Sequence, residues 1–226
     1  MTLVFLHGAG CTSAVFAAQL AAFPDAVALA LPGHGSPGSG DSIAQFAGFV
    51  ARELRDRGLR DAVLCGSSMG GAIALDLAIR RDPNVRAVAL LGSGARLRVA
   101  PQILESLERD FPAACRTLAG HFFAEPTEER IAGAVEQMQI VGADQTLRDM
   151  RACDAFDATG DLEGVALPLV AITGERDVMT PPKYAEFVAN RVPGAVARII
   201  PAAGHLAFVE RPAETNEALR AFVTMV

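Results

Sequence analysis

The sequence predicts an α/β protein, a mostly parallel, doubly wound sheet of about six strands with a helical segment inserted into it. Three observations lead there. Short apolar, β-rich runs alternate along the chain with longer helical patterns. Most of those runs carry polar residues only at their ends, as parallel strands covered on both faces do. The alternation breaks once, between about Gly94 and Pro168, where no strand run occurs.

In order, Leu3–Leu6 reads as the first strand and Ser13–Ala22 as the helix that follows it. Ala26–Leu31, Ala62–Cys65 and Val85–Leu91 are the next strands, separated by helices over Ser42–Arg57 and Met69–Arg81. In the interrupted stretch Ile103, Leu104, Leu107 and Phe111 recur at helical spacing, then Ile131, Val135, Met138 and Val141. Pro101, Pro112 and Pro126 divide that stretch into pieces. Alternation resumes with strands at Leu169–Thr173 and Ala195–Ile200 and helices at Pro182–Arg191 and Pro212–Thr224. The expected organisation is therefore a core of residues 1–94 and 168–226, with residues 95–167 as the helical insertion.

Composition bounds the function. A chain of 226 residues suits one sizeable domain or one domain with an insertion. With 51% apolar and 20% charged residues it can build a core, which excludes a disordered tail. Net charge is −6 and no window is rich in basic residues, so duplex nucleic acid is not an expected partner. Lys183 is the single lysine among 20 basic residues. Cys11, Cys65, Cys115 and Cys153 lie far apart without ligand spacing, and read as buried thiols of a reducing compartment. Gly8-Ala9-Gly10-Cys11 superficially resembles a lipoprotein cleavage box, but the apolar run before it is too short and no basic segment leads it. No apolar stretch is long enough for a membrane span. A soluble cytoplasmic protein without a metal site is expected.

Two glycine patterns imitate nucleotide sites. Gly8-Ala9-Gly10-Cys11-Thr12-Ser13 follows a strand, but Ser13 stands where a third glycine belongs. The next strand ends Ala28-Leu29-Ala30-Leu31, with no acid to hold a ribose. Gly33-His34-Gly35-Ser36-Pro37-Gly38 also fits by count, yet Pro37 and its glycines suit an open loop.

One motif carries chemistry. Val63-Leu64-Cys65-Gly66-Ser67-Ser68-Met69-Gly70-Gly71-Ala72 is a strand, a tight turn of the form G-x-S-x-G and an apolar helix. Gly66 and Gly70 remove side chains where strand and helix crowd, and the turn lifts the Ser68 hydroxyl above a helix N-terminus that favours negative charge. A serine in a glycine-rich turn is ordinarily only a turn residue or cap. Its place between a buried strand and an apolar helix weakens that reading here.

From these residues the chain resembles the α/β-hydrolase superfamily, specifically its small cap-bearing carboxylesterases, over essentially its whole length. His7-Gly8-Ala9-Gly10 is similar to the family's oxyanion loop and Leu31-Pro32-Gly33-His34-Gly35-Ser36 to its next loop. Gly174-Glu175-Arg176-Asp177-Val178-Met179-Thr180-Pro181 resembles the loop of the catalytic acid, and Gly204-His205-Leu206-Ala207-Phe208-Val209-Glu210-Arg211-Pro212 that of the catalytic histidine. The order Ser68, Asp177, His205 is the family's order. The insertion falls where such enzymes carry a cap. Two departures stand out: the family's two leading strands are absent, and Ala30 replaces the acid that often precedes Leu-Pro-Gly.

The resemblance implies Ser68 as nucleophile, His205 as base and then acid, and Asp177 as the group that orients His205. The backbone N–H groups of Ala9 and Met69 would bind the oxyanion. Glu175 is the rival acid, but Asp177 begins the turn before Pro181-Pro182. His7 and His34 read as structural residues of glycine loops. Expected pocket residues are His121, Phe122, Phe123, Met138, Phe156, Val178, Met179 and Leu206, with Phe111 and Ile140 also available from the cap. The implied reaction is hydrolysis of small to medium carboxylic esters through an acyl-enzyme, without cofactor or metal. Lactone, thioester and C–C bond hydrolysis share the triad, and a ligand-binding receptor shares the scaffold. Arg96, Arg98, Arg109, Arg116 and Arg151 leave room for a phosphorylated carrier or a substrate carboxylate.

Overall fold

The computed structural model describes residues 1–226. Six strands, β1 (Thr2–Leu6), β2 (Val27–Leu29), β3 (Ala62–Ser67), β4 (Val85–Leu91), β5 (Leu169–Gly174) and β6 (Val196–Ile200), form one sheet. Its order is β2-β1-β3-β4-β5-β6 and every pairing is parallel. The first half carries α1 (Ala17–Ala22), α2 (Ile43–Asp56) and α3 (Met69–Ile79). After β4 come α4 (Pro101–Arg109), α5 (Phe111–His121), α6 (Glu128–Val141) and α7 (Ala143–Ala155). The chain closes with α8 (Pro182–Arg191), α9 (Ala207–Glu210) and α10 (Pro212–Val223).

Burial explains the element types. β3 and β5 are buried at every position and β4 at all but Arg86, so both faces of the central sheet are covered. α3 is apolar on almost every side, Asp76 excepted, because it lies inside the molecule, against β3, β4 and α2. α2 instead keeps one apolar stripe, with Ile43, Phe46, Ala47, Val50 and Leu54 buried.

Local hydrogen bonds shift some boundaries. β2 is shorter than the apolar run Ala26–Leu31, because the Leu31 N–H turns to His7 Nε2 (3.2 Å) and leaves the ladder. The predicted helix Ser13–Ala22 begins as a 3₁₀ turn over Ser13–Phe16, entered by a Thr12 Oγ1 cap on the Ala14 N–H (3.3 Å), and becomes α-helical only at Ala17.

Topology places the crevice. The chain leaves β1 for β2 on one side, then returns to add β3 on the other, so the order reverses between β1 and β3. The loops after these two strands part there, and a ligand crevice opens at such a point. The four helices after β4 sit over those loops. Their two chain ends meet in an antiparallel bridge between Arg96 and Asp157, with the Ala158 N–H donating to the Ala95 carbonyl (2.8 Å). Leu107, Leu118, Met138 and Met150 join the same contiguous apolar cluster as the sheet.

Candidate active site

At the end of β3 the chain turns into α3 with no slack. A Cβ on Gly66 would collide with the Gly70 backbone, and one on Gly70 with the Leu6 carbonyl. Ser68 sits between them at φ 49°, ψ −111°, a left-handed conformation that a side chain adopts only under constraint. The constraint is visible: the Ser68 N–H donates to the Leu91 carbonyl (3.0 Å), and Ser93 Oγ donates to the Ser68 carbonyl (2.8 Å). The half-buried Ser68 side chain is thereby aimed into a cavity at the top of the sheet.

His205 and Asp177 reach the same place from the loops after β6 and β5. His205 Nδ1 lies 2.9 Å from Asp177 Oδ2, and both side chains are almost wholly buried. Asp177 is itself held. Its Oδ1 accepts the N–H groups of Met179 (2.8 Å) and Thr180 (2.9 Å), and its Oδ2 accepts the hydroxyls of Thr180 (2.8 Å) and Thr173 (3.3 Å). Burial alone would raise this carboxyl, but the adjacent His205 and the Thr180 hydrogen bonds outweigh it and hold it below the usual carboxylate range. Glu175, the rival acid, caps the Ala202 N–H instead (3.0 Å). His205 and Ser68 line one cavity, and no hydrogen bond joins Ser68 Oγ to His205 Nε2. Thr180 was not singled out from sequence; its position three residues after Asp177 is the spacing at which a side chain and a turn cooperate.

The loop after β1 completes the site. The Gly8 carbonyl accepts from His7 Nδ1 (3.0 Å) and from the Cys11 N–H (3.3 Å). The Gly10 N–H donates to Asp149 Oδ2 (3.0 Å), a carboxylate supplied by α7. Between them the Ala9 N–H has no protein acceptor, and neither does the Met69 N–H at the start of α3. In a trans peptide the C=O and N–H point oppositely, so fixing the Gly8 carbonyl also fixes the Ala9 N–H. Asp149 is wholly buried and further accepts from Gln145 Nε2 (2.9 Å), while His34 Nε2 stands 2.7 Å away. His34 Nδ1 faces the Pro32 carbonyl (2.9 Å), so both ring nitrogens meet oxygens. His7 and His34, read as structural, do hold loops here, and the loop His7 holds carries the Ala9 N–H.

A small cavity of about 60 Å³ adjoins Ser68. Of the expected pocket residues, Phe122, Met179 and Leu206 line it; the Phe122 ring centre lies 6.1 Å from that of His205. The other five lie elsewhere. Val178 is 63% exposed, because the tight turn that binds Met179 and Thr180 back to Asp177 leaves its side chain outside. Phe123 points away from its neighbour Phe122 into a separate groove beside α6. Met138 is fully buried against Gly10, His121 is exposed at the end of α5, and Phe156 is half-buried outside the cavity. Ile140 is exposed. Leu97, Arg98, Val99, Met150 and Cys153 take those places. Met150 and Cys153 are three apart on α7, a same-face spacing available in the sequence.

All four cysteines are free and buried, and burial pushes the Cys11 thiol up to about 12, leaving it an inert wall. No three His, Cys, Asp or Glu side chains cluster so as to hold a metal ion, and no helix is long and apolar enough to cross a membrane. Opposite Asp149, the buried Glu210 accepts the N–H groups of Gly204 (2.7 Å), Ala124 (3.0 Å) and Glu125 (2.9 Å) and pairs with Arg130 (3.0 Å). The loop carrying His205 is thus tied to the turn between α5 and α6.

Comparison with known proteins agrees with this architecture. Residues 3–218 match the model of the alpha/beta hydrolase family. A pimeloyl-[acyl-carrier protein] methyl ester esterase of Aromatoleum aromaticum is 28% identical, with 93% of each chain covered. A dihydrolipoyllysine-residue acetyltransferase component of an acetoin cleaving system, from Cupriavidus necator, is 27% identical over 97% of this chain, which spans only 62% of that relative's length. Among solved structures, a thermophilic esterase superposes with a TM-score of 0.89 at 30% identity, covering 99% of this chain and 89% of its own. The enol-lactonase of Burkholderia xenovorans has the same fold, with a TM-score of 0.91 at 23% identity and coverage of 99% and 91%.

Proposed function

This chain belongs to the alpha/beta hydrolase family, and from that premise we propose that it is a serine hydrolase of small carboxylic esters. The observation that carries the reading is the meeting, in one cavity, of the strained Ser68 with a His205 whose Nδ1 is engaged by Asp177 and whose Nε2 is free.

In this reading Ser68 Oγ attacks the ester carbonyl as His205 Nε2 takes its proton. Asp177 keeps the proton on Nδ1 and stabilises the imidazolium. Charge developing on the carbonyl oxygen is met by the Ala9 and Met69 N–H groups, which have no acceptor of their own; such a donor is commonly worth about 3 kcal/mol. His205 then protonates the departing alcohol, and water repeats the sequence on the acyl-serine. No metal or organic cofactor enters these steps. The inserted helices α4–α7 act as a cap, and the small cavity favours short acyl groups.

The test is initial rates on p-nitrophenyl esters of increasing acyl length, for the native protein and Ser68→Ala. Rates falling with chain length and lowered in the variant by about 10³-fold or more are expected. A folded Ser68→Ala protein that keeps its activity overturns the reading.

A further inference from the structure

A second opening adjoins the Ser68 cavity. It is a groove of about 460 Å³ lined by Arg96, Arg98, Thr159, Lys183, Tyr184 and Phe187. Arg98 belongs to both openings, forming part of the wall between them. The groove lies at the neck of the insertion, where the Arg96–Asp157 bridge faces the first turn of α8.

Its charge is one-sided. Three cations line it, in a chain whose net charge is −6 and which has no other lysine. No carboxylate lines it: Asp157, beside it, is committed to Arg96 at 3.0 Å, and Asp154 accepts the Val99 N–H (3.1 Å). Hydrogen bonds from Thr159 hold the Asp157 carboxyl below its usual range, and Arg96 and Arg98 add to the effect. Neither Arg98 nor Lys183 has an ion-pair partner, and Glu186, one turn along α8 from Lys183, lines neither opening. The α8 N-terminus at Pro182–Tyr184 adds its own positive end. A concave surface with uncompensated cations beside a reaction centre attracts and orients an anion.

Resting on the ester-hydrolase reading, we propose that this groove is the subsite for an anionic group, carboxylate or phosphate, borne by the same molecule whose ester or thioester carbonyl reaches Ser68. The Arg98 guanidinium presents a planar fork that matches two oxygens of such a group. Lys183 supplies a second charge, and the Tyr184 hydroxyl a neutral donor. Phe187, 38% exposed, gives the connecting chain an apolar surface to lie against. The substrate then spans both openings, its carbonyl in the small cavity and its charged end beyond Arg98.

The experiment compares kcat/KM per ester bond within two pairs, one member of each bearing the anionic group and the other lacking it: monomethyl against dimethyl adipate, and S-butanoyl phosphopantetheine against S-butanoyl pantetheine. At low salt the charged member of at least one pair is preferred tenfold or more. Which pair shows it decides between a carboxylate on the acyl side and a phosphate on the leaving group. In the Arg98→Gln/Lys183→Gln double variant that ratio falls to within twofold of unity. Both side chains are exposed, and an unchanged melting temperature verifies the fold. Ratios near unity in the native protein, or a preference that survives in the double variant, overturn the subsite. Calorimetric titration of Ser68→Ala with the same four compounds separates this inference from the one beneath it. If the native protein hydrolyses none of them, tenfold tighter binding of the charged member still upholds the subsite and equal binding removes it, while the p-nitrophenyl ester rates decide the hydrolase reading on their own.

Discussion

His7 makes acid sensitivity a property of the loop after β1, which carries the Ala9 N–H. Its ring is wholly buried, donating from Nδ1 to the Gly8 carbonyl and accepting the Leu31 N–H at Nε2, which only the neutral ring can do. Burial, reinforced by the His34 ring 4.6 Å away, lowers its pKa from 6.5 to about 3 against the opposing Gly8 hydrogen bond. In the unfolded chain the same ring takes a proton near pH 6.5. Between these values the unfolded state holds more protons, so stability rises with pH across that window and is lost as pH falls through it. Linkage over the span from pH 8 to pH 5 gives a loss of about 2 kcal/mol from this one residue. The assay is urea unfolding at pH 8, 7, 6 and 5 for the native protein and for His7→Asn, whose amide keeps a donor near the Gly8 carbonyl but does not titrate. The native protein is expected to lose about 2 kcal/mol more than the variant over that range. Parallel pH profiles for the two proteins would refute the reasoning.

Two further outcomes follow from buried carboxylates. In the proposed mechanism Asp177→Asn removes the charge that stabilises the His205 imidazolium while preserving shape, so kcat should fall by about 10⁴-fold with circular dichroism unchanged; unaltered turnover would hand the acid role to another residue. Asp149→Ala leaves the Gly10 N–H and His34 without their acceptor, costing about 3 kcal/mol of stability by denaturant titration. Because the same loop holds the Ala9 N–H, kcat should drop about tenfold or more at nearly constant KM. A variant that is merely less stable, with native kcat at low temperature, would confine Asp149 to folding.

The parts of this molecule written in consecutive residues were legible in the sequence. Apolar runs marked the strands, most plainly the central β3, β4 and β5, because a buried parallel strand must be apolar on both faces. The turn at Gly66–Gly70 announced itself because only glycine tolerates that approach of backbone to backbone. What escaped was whatever depends on rotation about a helix axis or on a meeting of distant segments. Phe122 and Phe123 are adjacent and equally apolar, yet only one faces the cavity. Asp149 resembles any charge on a helix with other charges, and nothing within α7 tells that Gly10 and His34 wait opposite it. The same holds for Glu210, whose partners in the insertion lie 80 and more residues away.

Asp149 and Glu210 together turn the inserted helices into a brace. One carboxylate fastens α7 to the loop after β1, and the other fastens the α5–α6 turn to the loop after β6. Swinging these helices outward would strip buried charges of their partners, so they cannot lift as a free flap. The remaining side has no such fastening: residues 96–99 make no hydrogen bond to the sheet domain, and there Leu97 and Val99 face Met179 and Thr180 across the cavity. The cavity is therefore roofed by a fixed structure, and the stretch of its wall without such a tie carries the positive charge of Arg98.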